Sequence, residues 1–379
     1  MKSLWLKEFV DAGDLTRESI GRFIERETIP HADENSVTFL FFGAADAVLL
    51  RNWIFGLPSS QPFEQIHDTG LWHLTLDIPA GSRFEYKIER VQGDDHTLML
   101  DPYNPSLARD PFGANSVCQA HGYVVPDWVH PDPEARPGIV RTAQFRSEAL
   151  GRMQRAQVYL PPRFRKRRRY PLLVVHDGPE YVRFAAMKTV LDNLIHRLEI
   201  PPVIAVLIQS RDRLNEYAAD PRHARFVVEE LLPQLEHRFP IDPDPSTRAL
   251  VGASFGAVAA LSTAWRYPGA FGKLLLQSGS FAFTDIGEHL RGPLFDPVVE
   301  FVNEFRENPG RPCERMFMTC GMYESLIYEN RSMVPRIQAL GIDLRYRESR
   351  DGHNWDNWRD HLREGLSWLF PGPLWMVYE

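Results

Sequence analysis

A chain of 379 residues, 44% apolar and 25% charged, is long enough for one large core with a smaller domain beside it, and too apolar to stay disordered. Its net charge of −7 at pH 7 is mild and interspersed along the sequence, which argues against broad capture of nucleic acid and points to a small substrate. Cys118, Cys313 and Cys320 lack paired C-x-x-C spacing, so neither a disulfide framework nor a zinc site is indicated, and a reducing compartment fits.

The first residues Leu4, Trp5 and Leu6 are interrupted by Lys7 and Glu8 before they can form a signal-peptide core, and no segment approaches membrane-spanning length. The expected location is the cytoplasm. From Leu15 to Ile29 the pattern predicts a short amphipathic helix entered through Thr16 and ended by Pro30, within an N-terminal helical segment of residues 1–35. Short β-rich runs follow at Val37–Phe42, Val48–Ile54, Trp72–Ile78 and Arg83–Ile88, separated by Gly, Pro, Asp and Ser clusters. They predict a small β-sandwich over 36–125. Trp53 and Trp72 are expected to pack in its core rather than to form a sugar platform.

Prolines at 126, 131, 133 and 137 mark a linker over 126–140. Beyond it, over 141–379, strand-like runs alternate with helical patterns: Ala156–Leu160, Leu172–Val175, Val203–Ile208, Ala249–Val251, Leu274–Gln277, Met316–Thr319 and Leu344–Arg347. Such alternation implies a mostly parallel sheet covered by helices on both faces, an α/β fold. The stripe Ala224, Phe226, Val227, Leu231, Leu232, Leu235 reads as a core-facing helix, and a last helix is expected over Trp355–Phe370. The basic run Arg163–Arg169 lies between two predicted strands and is expected to be a solvated loop.

Within this second part, Gly252-Ala253-Ser254-Phe255-Gly256 follows an apolar run and precedes a small-residue helical pattern. A serine on a sharp strand-to-helix turn leaves no room for side chains at the two flanking positions, where Gly252 and Gly256 stand. An α/β-hydrolase built on such a turn needs an acid and then a histidine on loops after later strands. Glu324 follows the Met316–Thr319 run, and His353 follows Leu344–Arg347. The expected roles are nucleophile for Ser254, general base for His353 and orienting acid for Glu324, with Asp351 and Glu348 as rival acids. Neither metal nor cofactor is required. The oxyanion hole is expected from the N–H of Phe255 and one from Asp177 or Gly178, because the adjoining Pro179 has none to give.

With these residues assembled, the chain resembles the enterochelin (ferric enterobactin) esterase family, near the esterase D and feruloyl-esterase-like α/β-hydrolases. The carriers are His176-Asp177-Gly178, Arg211–Tyr217, the turn at Ser254, Gln277–Phe281, Gly321–Leu326 and Gly352-His353-Asn354-Trp355 with Trp358-Arg359. In the N-terminal part, Val37–Leu40, Leu71–Leu74 and Asp101–Pro105 look like that family's immunoglobulin-like domain. The resemblance implies hydrolysis of the ester bonds of a catecholate trilactone siderophore, and pocket residues among Arg211, Arg213, Glu216 and Trp355. The chain departs from the family at Ala257, where a second glycine is usual, and at Phe281-Ala282-Phe283, where many members carry an aromatic pair. Feruloyl or acetyl carbohydrate esterase, general esterase, acyltransferase and silent binding protein are the rival functions; oligomeric state is not read from the sequence.

Overall fold

The structure, a computed structural model, describes residues 3–284, 289 and 291–373. It divides into two units, one of Met1–Val125 with Gly321–Glu324 and Ser349–Asn354, the other of Pro126–Cys320, Ser325–Glu348 and Trp355–Glu379.

The first unit opens with two helices, α1 (Leu4–Asp11) and α2 (Arg17–Arg26). The helix entered through Thr16 is α2, whose Ser19 N–H donates to the Thr16 hydroxyl at 3.3 Å. α1 is a second helix within the segment expected to be helical: Leu6 faces inward while Lys7 and Glu8 face water, so the charges that break a signal-peptide pattern are the polar side of a helix. Two antiparallel sheets follow. One is built round the pair Ser36–Phe42 and Leu71–Asp77, the other round Ala47–Asn52, Arg83–Gln92 and Gly113–Gln119. Val37, Phe39 and Trp72 of the first share one core with Val48, Leu50, Phe84 and Tyr86 of the second. Trp72 is therefore core, as expected, but Trp53 is 58% exposed. The strand stops at Asn52, whose side chain accepts the Ile54 N–H and donates to the Pro58 carbonyl; this turn sends Ile54 inward and Trp53 out.

In the second unit eight strands form one sheet: β1 (Ile139–Ser147), β2 (Arg152–Leu160), β3 (Leu172–Val175), β4 (Ile204–Ile208), β5 (Arg248–Ala253), β6 (Lys273–Gln277), β7 (Arg315–Gly321) and β8 (Asp343–Ser349), in the order β1-β2-β4-β3-β5-β6-β7-β8. The pairs from β4 through β7 are parallel, and β1 and β2 pair antiparallel at one edge. The predicted strands are all present, and β1 is an addition. It alternates mostly exposed polar residues with few buried ones, as an edge strand does. The stripe from Ala224 to Leu235 packs into the core of this unit. The C-terminal helix is two, Trp355–Asp360 and Leu362–Leu369. Arg163 and Arg165 to Arg169 are exposed between β2 and β3. Among the described residues no helix is long and apolar enough to cross a membrane.

Candidate active site

Ser254 stands one residue past β5, at φ 57° and ψ −124°, immediately before the helix Phe255–Arg266. A non-glycine residue with positive φ is strained and persists only where its surroundings hold it. Here its N–H donates to the Gln277 carbonyl at 2.9 Å, and the following helix is buried from Phe255 to Ala264. The turn also demands close backbone approach. A Cβ on Gly252 would lie 2.2 Å from the Gly256 carbonyl oxygen, so this position is closed to any side chain. The half-buried Ser254 Oγ lies 3.2 Å from the Oγ of Ser280, a partner not anticipated from the sequence.

Phe255 and Gly178 open the helices that follow β5 and β3. Neither N–H finds an acceptor among the described residues, as befits the first turn of a helix. The Asp177 N–H, by contrast, donates to the Tyr217 hydroxyl at 3.4 Å. Of the two candidates for the second oxyanion donor, Gly178 is therefore the unoccupied one. Gly178 is also required sterically, since a Cβ there would come within 2.3 Å of Leu207 Cα.

Beneath this loop His176 is fully buried. Its Nδ1–H donates to the Val251 carbonyl (3.0 Å), which leaves Nε2 as an acceptor for the Nε2–H of buried His223, 3.1 Å away. Burial pushes His176 down to about 4 and His223 well below the ordinary imidazole range. Both rings are neutral at neutral pH.

The expected acid and base, Glu324 and His353, are carried by the segments that belong to the first unit. Glu324, 3% exposed, accepts the Gly321 N–H through Oε1 (2.7 Å) and faces His353 Nδ1 through Oε2 at 2.5 Å. Because a carboxylate only accepts, Nδ1 carries the proton and Nε2 is the basic nitrogen of the ring. The rival acids are engaged elsewhere. Asp351 is buried against Arg83, and Glu348 forms a bidentate pair with Arg331. Burial raises Asp351 to about 6, against the opposing pull of Arg83.

The expected pocket residues have different surroundings. Arg213 is bonded to both oxygens of Asp177, at 2.8 to 2.9 Å. Glu216 is buried and held by Arg152 and by the Ser210 hydroxyl. Trp355 is half-buried, edge to face with Tyr181 and Trp358. Arg211 is exposed and makes no ion pair among the described residues. The structure thus joins Glu324 to His353, and Ser254 to its flanking donors, and it commits Arg213 and Glu216 to partners within the protein. Nothing in the sequence pattern singles out His223 or Arg83, and Ser280, within the Gln277–Phe281 motif, was given no role of its own.

A strained serine before a buried helix, on a sheet of this order, defines an α/β-hydrolase type of fold. Residues 147–369 match the sequence profile of the Esterase family, and the chain belongs to that family. It is 26% identical over 337 residues to the iron(III) enterobactin esterase of Escherichia coli, covering 81% of this chain and 82% of that one. Ferric enterobactin esterase from Salmonella typhimurium superimposes with a TM-score of 0.75 at 22% identity, over 92% of this chain and 98% of the other. An endo-1,4-beta-xylanase/feruloyl esterase of Xylanibacter ruminicola is 25% identical over 323 residues, 79% of this chain and 40% of that one. The protein is an esterase, similar to the enterobactin esterases over most of its length.

Proposed function

We propose that the protein is a serine carboxylic-ester hydrolase that cleaves a catecholate siderophore trilactone. Ser254 Oγ attacks the ester carbonyl while His353 Nε2 takes its proton; Glu324 holds the imidazole in the required tautomer and stabilises the imidazolium. The negative charge that develops on the carbonyl oxygen is met by the N–H groups of Phe255 and Gly178. His353 then returns the proton to the leaving alcohol, and water, activated by the same imidazole, releases the acid from acyl-Ser254. Two attacks and four proton transfers through His353 balance the reaction, the last proton returning from the imidazolium to Ser254 Oγ as the acid leaves.

What carries the mechanism is the His353–Glu324 pair at 2.5 Å together with the positive φ of Ser254. What supports the substrate is similarity to the enterobactin esterases over some four-fifths of the chain, beyond the catalytic part alone. The two antiparallel sheets of the first unit fit an immunoglobulin-like domain, as the resemblance implies. The exposed Arg211 suits an anionic catecholate complex, whereas Arg213 is already neutralised by Asp177. A feruloyl ester is the second reading, favoured by the Xylanibacter relative.

The test compares ferric and iron-free enterobactin, methyl ferulate and p-nitrophenyl acetate as substrates of wild type, Ser254→Ala, Glu324→Gln and Asp351→Asn. Linear dihydroxybenzoylserine products that vanish in Ser254→Ala are expected, with Glu324→Gln slower by ~10²-fold or more. Turnover of ferulate alone would remove the siderophore reading. Asp351→Asn falling further than Glu324→Gln would reassign the acid.

A further inference from the structure

Arg83 is among the largest fully buried side chains, at 1% exposure, and it opens a strand of the N-terminal sheets. A guanidinium taken out of water must be compensated by several acceptors. Nη1 reaches both oxygens of Asp351, at 3.2 and 3.3 Å, and Asn354 Oδ1 at 3.1 Å, while Nη2 lies 3.4 Å from Glu85. The backbone repeats the attachment: the Arg83 N–H donates to the Arg350 carbonyl at 2.9 Å. Asp351 and Asn354 bracket His353, and Asp351 Oδ1 closes the turn by accepting from the Gly352 N–H and Asn354 Nδ2, both at 2.7 Å.

The acid segment is fastened at the same corner. Tyr323, next to Glu324, shares a 2.6 Å hydrogen bond with the Ser82 hydroxyl; its N–H donates to the Asp351 carbonyl and its carbonyl accepts the Phe55 N–H. Ser82 and Arg83 therefore hold the neighbours of both members of the pair.

We propose that Arg83 is a positioning residue for the catalytic base, fixing through Asp351 and Asn354 the loop that sets His353 against Glu324. This rests on the reading of His353 as base. The N-terminal sheets are then part of the catalytic apparatus, whatever they contribute to substrate binding. Errors of about 1 Å in such a group cost on the order of 10²-fold in rate, which is the effect a loosened clamp should produce. Burial already pushes the Asp351 carboxyl up, so loss of the arginine would neutralise it and release the turn.

The experiment uses the full-length enzyme with Arg83→Lys and Arg83→Met, each alone and combined with His353→Ala. Turnover of p-nitrophenyl acetate is measured per folded molecule, with folding followed by thermal denaturation and the His353 Nδ1 proton by its downfield NMR resonance. The expected result is a kcat lower by ~10 to 10²-fold with KM changed less than about twofold, the lysine variant intermediate, and no further loss in the His353→Ala background. The downfield resonance should shift or broaden in Arg83→Lys, a readout that survives if Arg83→Met fails to fold. Unchanged kcat and resonance in folded Arg83→Lys, or an undiminished effect of Arg83 in the His353→Ala background, overturns the proposal. If His353→Ala itself retains full activity, the assignment of the base falls, and this role of Arg83 falls with it.

Discussion

Ser254 is placed by residues within a few positions of itself: Gly252 and Gly256 allow the turn, and Phe255 begins the helix that buries it. His353 is placed by Arg83, whose partner Asp351 lies 268 residues further along the chain. The first arrangement uses backbone packing and tolerated strain; the second uses a buried, charge-assisted network. The Ser254 turn and the His353 loop should therefore fail in different ways. Steric changes at the nucleophile should disrupt the backbone, whereas changes at the clamp should leave a folded but slow enzyme.

The largest expected effect breaks the first arrangement. Gly252→Ala puts a Cβ 2.2 Å from a carbonyl oxygen on a helix that is itself packed, so the backbone must move. We expect a loss of at least ~3 kcal/mol in unfolding free energy together with loss of activity. Denaturant titration beside an esterase assay measures both, and wild-type stability in Gly252→Ala would contradict the close approach. Gly178→Ala is the next step down. Its Cβ would meet Leu207 backbone, displacing the N–H assigned to the oxyanion, and kcat should fall by ~10² to 10³-fold. Unchanged kcat in folded Gly178→Ala would remove Gly178 as the donor.

The same contrast explains what was legible in the sequence. The Ser254 turn is local, so five residues between a strand and a helix pick it out as the proposed nucleophile. Glu324 and His353 could be proposed from sequence because each follows a strand, where such folds commonly carry function. Arg83 was not, because strand alternation names Phe84, Tyr86 and Ile88 as inward residues and says nothing of what their neighbours meet. Likewise the loop from Arg211 was recognisable, but the pairing of Arg213 with Asp177 and of Glu216 with Arg152 is tertiary. The edge strand β1 was missed for a related reason. Of its nine residues only Phe145 and Ser147 are buried, too few to set a period.

A last test concerns the support beneath the Gly178 loop, and it sharpens the contrast by asking how the Ser254 half responds to acid. His176 joins that loop to β5 through the Val251 carbonyl, and His223 can donate to it only while His176 Nε2 is unprotonated. An unfolded imidazole takes up its proton near pH 6.5, whereas the buried His176 resists until about 4. The stability this contributes is therefore present above pH 6.5 and is lost as the pH falls from 6.5 through 4, by about 3 kcal/mol in all. His223, lowered for the same reason and by its neighbour, acts in the same direction. His176→Gln retains a donor for Val251 and an acceptor for His223 but cannot titrate. Denaturation midpoints between pH 7.5 and 4.5 should fall more steeply for wild type than for His176→Gln. Parallel curves would mean that acid sensitivity resides in the carboxylate networks, and that the nucleophile half owes its stability to backbone packing alone.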